Sequence, residues 1–316
     1  MPDTLSKIAI VGAGSVGATI AYACMIRGVG SEIVLYDINR AKVDAEVLDL
    51  NHGLQFVPTL EIDGSDDPAV CRDADVIVIT AGAKQKPGQT RMDLAGSNVG
   101  ILKKMLPDLL KAAPDAIFLL VTNPVDVITY VTQKLTGLPR ERVFGSGTVL
   151  DSSRFRFLIG KHLNVAVQNV HAYIAGEHGD SEIPLWSSAN VGHIPIGEWA
   201  VPGHGKLTPE DRTTIFENVR TAAYQIVAGK GATNYAIGLS TAYILEAILR
   251  DANRVLPVSS LLTDYRGIGD VCLSVPCVVN RSGVGAPLPI PVNEGELAGL
   301  RNSADTIRAA IRSLGF

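Results

Sequence analysis

Long hydrophobic runs, paired cysteines and a surplus of positive charge are all missing from this sequence. No apolar stretch reaches the roughly 18 residues needed to cross a bilayer, and the first residues do not run from basic to apolar to small as a secretory signal does. A cytoplasmic protein is therefore expected, with no membrane partner. The four cysteines, Cys24, Cys71, Cys272 and Cys277, form no C-x-x-C pair and sit among apolar neighbours. That pattern predicts buried free thiols and excludes both a disulfide framework and a metal site, so no metal is expected. Lys and Arg number 28 against 32 Asp and Glu, a formal charge of -4. The balance argues against a broad polyanion-binding face, and nucleic acid is not an expected partner. Short-period repeats and low-complexity tails are lacking too. Apolar residues are plentiful: 47% of 316 residues is enough to bury two medium cores.

One stretch organises the rest. Lys7-Ile-Ala-Ile-Val-Gly-Ala-Gly-Ser-Val-Gly17 is an apolar run ending in glycines spaced G-x-G-x-x-G, which predicts a strand turning into a helix. Gly12 suits the tight turn, Gly14 the approach of backbone amides to a pyrophosphate, and Gly17 the close packing of the next helix on the sheet. The anion would rest at the helix N-terminus beside Val16, where unpaired N–H groups favour negative charge. Ala18 to Arg27 continues as a helix closed by Gly28, and Ile33 to Asp37 as a second strand. Asp37 lies twenty residues after Gly17. An acid there reaches a ribose 2′-hydroxyl and repels a 2′-phosphate, which points to NAD rather than NADP. In isolation the same residue is a turn or helix cap.

Further along, Arg40 to Asn51 reads as a helix and Leu60 to Ile62 as a third strand. Asp75 to Thr80 and Ala116 to Asn123 are unbroken apolar runs, the mark of strands covered on both faces. Arg142 to Gly145 supplies a sixth strand, and helices fall near Asn98 to Ala112 and Pro124 to Leu135. Residues 1–146 thus predict an α/β, Rossmann-type doubly wound parallel sheet that binds the dinucleotide. Ligands of such sheets lie beyond the carboxyl ends of the strands, so Gly12, the run Thr80, Ala81 and Gly82, and Asn123 should lie side by side. The Thr80 end enters a polar, glycine-bearing segment running to Asp93, too long for a minimal turn and expected to act as a lid. Asn123 could equally be a plain N-cap.

Residues 147–316 predict a mixed α+β substrate domain. Val149 to His162 is a helix on which Asp151 and Arg154, three apart, share a face, commonly an ordinary ion pair. Asn169 to Asp180 reads as a strand entering a charged, glycine-flanked turn with His178 at its centre, a place with no packing reason for histidine. Helices over Thr208 to Lys230 and Thr233 to Arg250 precede antiparallel strands over Arg254 to Pro291. The closing helix carries the stripe Leu297, Leu300, Ala304, Ile307, Ile311 and Leu314 behind an Asn293/Glu296 capping box.

Together these motifs resemble the NAD-dependent L-lactate dehydrogenases of bacterial type, within the lactate/malate dehydrogenase superfamily. The likeness runs from Lys7 to the C-terminus and is carried by Gly12 to Gly17, Gly82 to Leu94, Thr122 to Asp126, Leu150 to Arg156, Gly176 to Asp180 and Gly231 to Ser240. Malate dehydrogenases share most of these segments. The resemblance implies reversible hydride transfer between NADH and pyruvate, with L-lactate as the reduced product. It assigns His178 as acid and base, Asp151 as the holder of its second ring nitrogen, and Arg154 as a bidentate clamp on the substrate carboxylate. Arg91, on the lid, would polarise the carbonyl, and Asn123 and Thr233 would touch substrate and nicotinamide. Gln85 stands where the malate pattern has an arginine. A second substrate carboxylate enclosed there would lack its cation, at the ~3–5 kcal/mol of a broken buried pair, which favours pyruvate. Gln89 departs from the family's usual glutamate. Arg156 and His171 match the fructose 1,6-bisphosphate site of allosteric members, where a two-fold axis pairs subunits, so a homo-oligomer, a tetramer, is implied. Both also read as plain interface residues.

Overall fold

The computed structural model describes residues 6–83 and 91–316, the first three of the second span by backbone alone. The expectations for Gln85 and Gln89, for the side chain of Arg91 and for most of the lid lie outside the described residues.

The first half alternates strand and helix: β1 (Lys7–Val11), α1 (Ser15–Arg27), β2 (Glu32–Tyr36), α2 (Arg40–His52), β3 (Glu61–Ser65), β4 (Val76–Ile79), α3 (Arg91–Ala112), β5 (Ile117–Leu120), α4 (Val125–Thr136) and β6 (Val143–Gly145). All six strands are parallel, in the order β6-β5-β4-β1-β2-β3, the reversal falling beside β1. Every residue of β4 and β5 is buried. Helices on both faces shield them, which is why their sequences show no alternation. Helix α3 begins at Arg91, two turns before the expected Asn98, so the end of the polar segment is already helical.

The second half comprises α5 (Val149–Leu163), β7 (Val170–His171), β8 (Ile174–Ala175), β9 (Ile183–Pro184), β10 (Asn190–Val191), β11 (Ile194–Pro195), α6 (Pro209–Lys230), α7 (Tyr235–Leu249), β12 (Arg254–Leu262), β13 (Val271–Asn280), β14 (Gly283–Pro287) and α8 (Glu294–Ser313). Strands β12 to β14 do not form a sheet of their own. They run antiparallel and extend the first sheet past β6 through Ser259 opposite Gly145, giving nine strands in one sheet. The strand expected over Asn169 to Asp180 is broken because its partners change: β7 pairs with β10, β8 with β9, and Gly176 then bridges to Ser274 on β13. Both bridge hydrogen bonds are present, at 2.9 and 3.0 Å. They tether the turn that carries His178 to the main sheet.

One apolar cluster fills both faces of the sheet and takes in Leu300, Ala304, Ile307 and Ile311 of α8, whose Asn293/Glu296 capping box forms as expected. A second cluster, including Phe155 and Ile159 of α5 and Val219 of α6, underlies the far side of the cleft. All four cysteines are buried and free, and burial pushes the Cys24 and Cys71 thiols up to about 12.

Candidate active site

The turn between β1 and α1 is built from glycine because side chains do not fit. Gly12 has φ +106°, and a β-carbon there would lie 2.7 Å from the Ala81 amide nitrogen. A β-carbon on Gly17 would lie 1.9 Å from the Gly12 carbonyl oxygen, so the first turn of α1 rests on the glycine loop itself rather than only on the sheet. At Gly14 such an atom would meet nothing within 4 Å. Gly14 is the N-cap of α1, no side chain caps that end, and its first turn contains no acid. Open space beside uncapped amides fits a dinucleotide's pyrophosphate. The Thr80 hydroxyl donates to the carbonyl of Gly12 at 2.9 Å, and the Ala81 amide to that of Val11 at 2.8 Å, which holds the ends of β1 and β4 together. Asp37, at the end of β2, accepts the Ala13 amide at 2.8 Å on one oxygen and the Asn39 amide at 3.0 Å on the other. Its carboxylate therefore braces the glycine loop and also caps the following turn.

Asn98 escaped the sequence reading. It is buried, its side-chain oxygen accepts the Ala83 amide and its amide group donates to the Asn123 carbonyl, both at 2.7 Å. One side chain thus fixes the ends of β4 and β5. The signal was a lone amide in the apolar stripe between Leu94 and Leu102. Asn123 is exposed, and the N-cap of α4 is Pro124, with no side-chain cap. The plain N-cap reading of Asn123 therefore fails, and the helix starts one residue later than a proline in the first turn would give.

At the centre, His178 Nδ1 lies 2.5 Å from Asp151 Oδ2, and Asp151 Oδ1 accepts from Arg154 Nη1 at 2.7 Å. The Asp151–Arg154 ion pair thus exists, as the helical spacing suggests, but it forms inside the cleft against histidine. Asp126, also unforeseen, is buried on α4; it accepts the His178 amide at 2.8 Å and the Ser259 hydroxyl at 2.6 Å. Burial pushes its carboxyl up to about 6 despite those bonds. Burial also opposes charge on Asp151, yet His178 and Arg154 hold its carboxyl below the usual range. For His178, burial favours the neutral ring, but the charge of Asp151 and its hydrogen bond prevail, and the imidazole is pushed up to about 9. Asp151, His178 and Glu182 each bring one potential metal-ligand atom to within 4.8 Å of the others. Two of these residues, His178 and Asp151, are already joined by the 2.5 Å hydrogen bond, a contact sized for a proton.

These groups open on a cleft of about 240 Å³. Val16, Thr80, Gly82, Asn123, Arg154, His178 and Thr233 are among the residues that line it. A cavity of about 300 Å³ at the amino ends of β4 and β5, lined in part by Asp73 and Arg281, contains none of the predicted site residues. Arg156 and His171 come together elsewhere: Arg156 Nε donates to the Ala172 carbonyl at 2.8 Å, beside an exposed His171, and its guanidinium stacks 4.9 Å from the Tyr173 ring.

Comparison with known proteins bears on what this arrangement serves. Residues 6–145 match the family described as lactate/malate dehydrogenase, NAD binding domain, and residues 148–314 its alpha/beta C-terminal domain. An L-lactate dehydrogenase of Bifidobacterium animalis subsp. lactis is 58% identical over 316 residues, covering 100% of this chain and 99% of that one. One from Acetivibrio thermocellus is 48% identical over 310 residues, 98% of each. Among solved structures, a minor L-lactate dehydrogenase from Enterococcus mundtii in a ligand-bound form superposes with a TM-score of 0.94 at 40% identity, covering 98% of this chain and 99% of that one. A lactate dehydrogenase from a Medee basin deep-sea metagenome library gives 0.94 at 41%, with the same coverage.

Proposed function

This chain belongs to the lactate/malate dehydrogenase family, and from that premise we propose how its cleft carries out the NAD-dependent interconversion of pyruvate and L-lactate. NADH, when bound, supplies the hydride for C2 of the 2-oxo acid. Gly12 and Gly17 let the turn close on itself, Gly14 leaves room for the pyrophosphate at the N-terminus of α1, and Asp37 selects a free ribose 2′-hydroxyl. The observation that carries the rest is the 2.5 Å contact between His178 Nδ1 and Asp151. It holds one ring proton and leaves Nε2 to deliver the other to the substrate oxygen, and to recover it in the reverse direction. Arg154, steadied through one terminal nitrogen by Asp151, keeps further guanidinium donors for the substrate carboxylate. Asn98 and Asp126 serve by position, the first aligning two strand ends and the second fixing the backbone of His178. Arg91 polarises the carbonyl, Asn123 and Thr233 touch substrate and nicotinamide, and Gln85 disfavours a second carboxylate.

NADH consumption with pyruvate, oxaloacetate and phenylpyruvate side by side tests this reading; oxaloacetate consumed faster than pyruvate overturns the substrate assignment. The working form is a cytoplasmic homotetramer. Among the described residues, no helix is long and apolar enough to cross a membrane. Arg156 and His171, adjacent on one surface, receive fructose 1,6-bisphosphate across a two-fold axis, four groups facing two phosphates. Pyruvate saturation should change from sigmoidal to hyperbolic when the bisphosphate is added. The same change surviving Arg156→Gln with His171→Ala would remove those residues from the site.

A further inference from the structure

Glu182 lies just before β9, four residues after His178, and its side chain is 5% exposed. One of its carboxyl oxygens is buried with no hydrogen-bond partner among the described residues. An oxygen isolated from water and from donors costs stability, so packing alone does not explain an acid there. Its placement is specific all the same: a carboxyl oxygen comes within 4.8 Å of both a ring nitrogen of His178 and a carboxyl oxygen of Asp151. The charges that act on it come from three elements: Asp151 and Arg154 on α5, Arg220 on α6, and His178 in the turn itself. Arg220 is exposed and pairs with Glu217 at 2.8 Å, so it does not neutralise Glu182 by contact. His178 feels, besides Asp151, the carboxyls of Asp126 and Glu182.

We infer that Glu182 is a positioning residue of the proton relay: its carboxyl, set behind the His178–Asp151 pair, governs how firmly the imidazole keeps its proton and hence the pH window of carbonyl reduction. Asp151 alone would fix the ring's orientation and tautomer. A second, unneutralised carboxyl adds no orientation but raises the cost of losing the imidazolium charge. Burial favours a proton on Glu182 itself, pushing it up to about 8. Below that pH the acid is neutral and weakly felt; as it ionises it reinforces His178, so the relay stays protonated further into the alkaline range than the Asp151 pair alone would allow. This inference rests on the proposed dehydrogenase reading only for its consequence in turnover.

The test compares the full chain with Glu182→Gln and Glu182→Asp by two measurements. One is the alkaline limb of kcat/KM for pyruvate reduction; the other is the NMR titration of the His178 ring, without substrate, in protein labelled with ¹³C-histidine and assigned with His178→Gln. Removing a charge at this separation should lower the His178 midpoint by between about 0.6 and about 2.5 pH units, the range between water-like and protein-like screening. Glu182→Asp, which keeps the charge, should restore most of the shift. A midpoint unmoved in Glu182→Gln overturns the inference, as does a midpoint lowered as much by Asp as by Gln. If the parent chain does not reduce pyruvate, the functional reading fails while the ring titration still decides the role of Glu182. Glu182→Leu, equally without charge, replaces Gln if that variant does not fold; failure of both to fold would make the residue structural.

Discussion

At the residue scale the proposed acid and base, His178, has surroundings that set its pH behaviour. Its imidazole is held up to about 9, so if this ring supplies the proton as proposed, pyruvate reduction should fall as pH rises through about 9, and lactate oxidation should rise over the same range. Parallel pH profiles of the two directions check this. The same shift bears on stability: a group raised from 6.5 to about 9 contributes stability that is complete below 6.5 and is lost as pH climbs through 9. His178→Gln should therefore flatten the melting-temperature profile between those values, abolish most turnover and leave NADH binding intact, since the glycine loop lies on β1 and α1. Cofactor affinity falling in step with rate would instead make His178 structural. For Gln85 the expectation is a change of substrate: Gln85→Arg supplies a cation for a second carboxylate and should raise kcat/KM for oxaloacetate while lowering it for pyruvate. Gln85 was singled out through the arginine that the malate pattern carries there. Asn98 and Asp126 were not, because one buried polar residue in an apolar stripe has no readable partner until the chain is folded.

Between elements, the joint of α1, α7 and β12 depends on Glu246. This buried carboxylate on α7 meets Arg27 of α1 at 2.6 Å, Arg250 at 2.6 Å and Arg254 of β12 at 2.9 Å. Burial opposes its charge, but the hydrogen bonds and charges of Arg254 and Arg27 pull its carboxyl down to about 2. Its folded value lies below the usual 4.5, so its contribution is complete above 4.5 and is lost as pH falls toward 2. Glu246→Gln leaves three part-exposed arginines without their anion and should cost on the order of 1 to 2 kcal/mol, below the figure for a fully buried pair because solvent screens them. Urea melts at pH 7 should show that loss, and at pH 2 to 3 most of it should vanish; an equal loss at both would point to packing. Gly17→Ala acts at another joint. Its β-carbon would sit 1.9 Å from the Gly12 carbonyl, so the loop must shift, and NADH affinity measured by fluorescence titration should drop far more than thermal stability.

For the molecule as a whole, the helical layer over β1 and β2 leaves large apolar side chains in water: Tyr22 and Ile26 on α1, Leu48 on α2, and Tyr235, Leu239 and Tyr243 on α7. Helices α1 and α7 pack on each other, so part of this surface is continuous, of the kind subunits cover. If the proposed tetramer covers this surface, Ile26→Asp with Leu239→Asp should lower the mass found by sedimentation, whereas an unchanged mass would remove this surface from the proposed contact. The sequence by itself determined the alternation of the first half, the glycine loop and its acid, the free cysteines and the capping box of the last helix. Those features are written in local spacing, where periodicity and backbone sterics act over a few residues. It also marked His178, Asp151 and Arg154 one by one, the last two with an ordinary ion pair as the alternative. Only the tertiary structure decided that β12 to β14 extend the first sheet, since an alternating strand does not encode which edge it joins. Only the fold, too, broke the strand before His178 by giving its halves different partners and tethered Gly176 to Ser274. Through that tether the histidine meets Asp151 from a different helix and, behind both, an acid whose burial no linear pattern records.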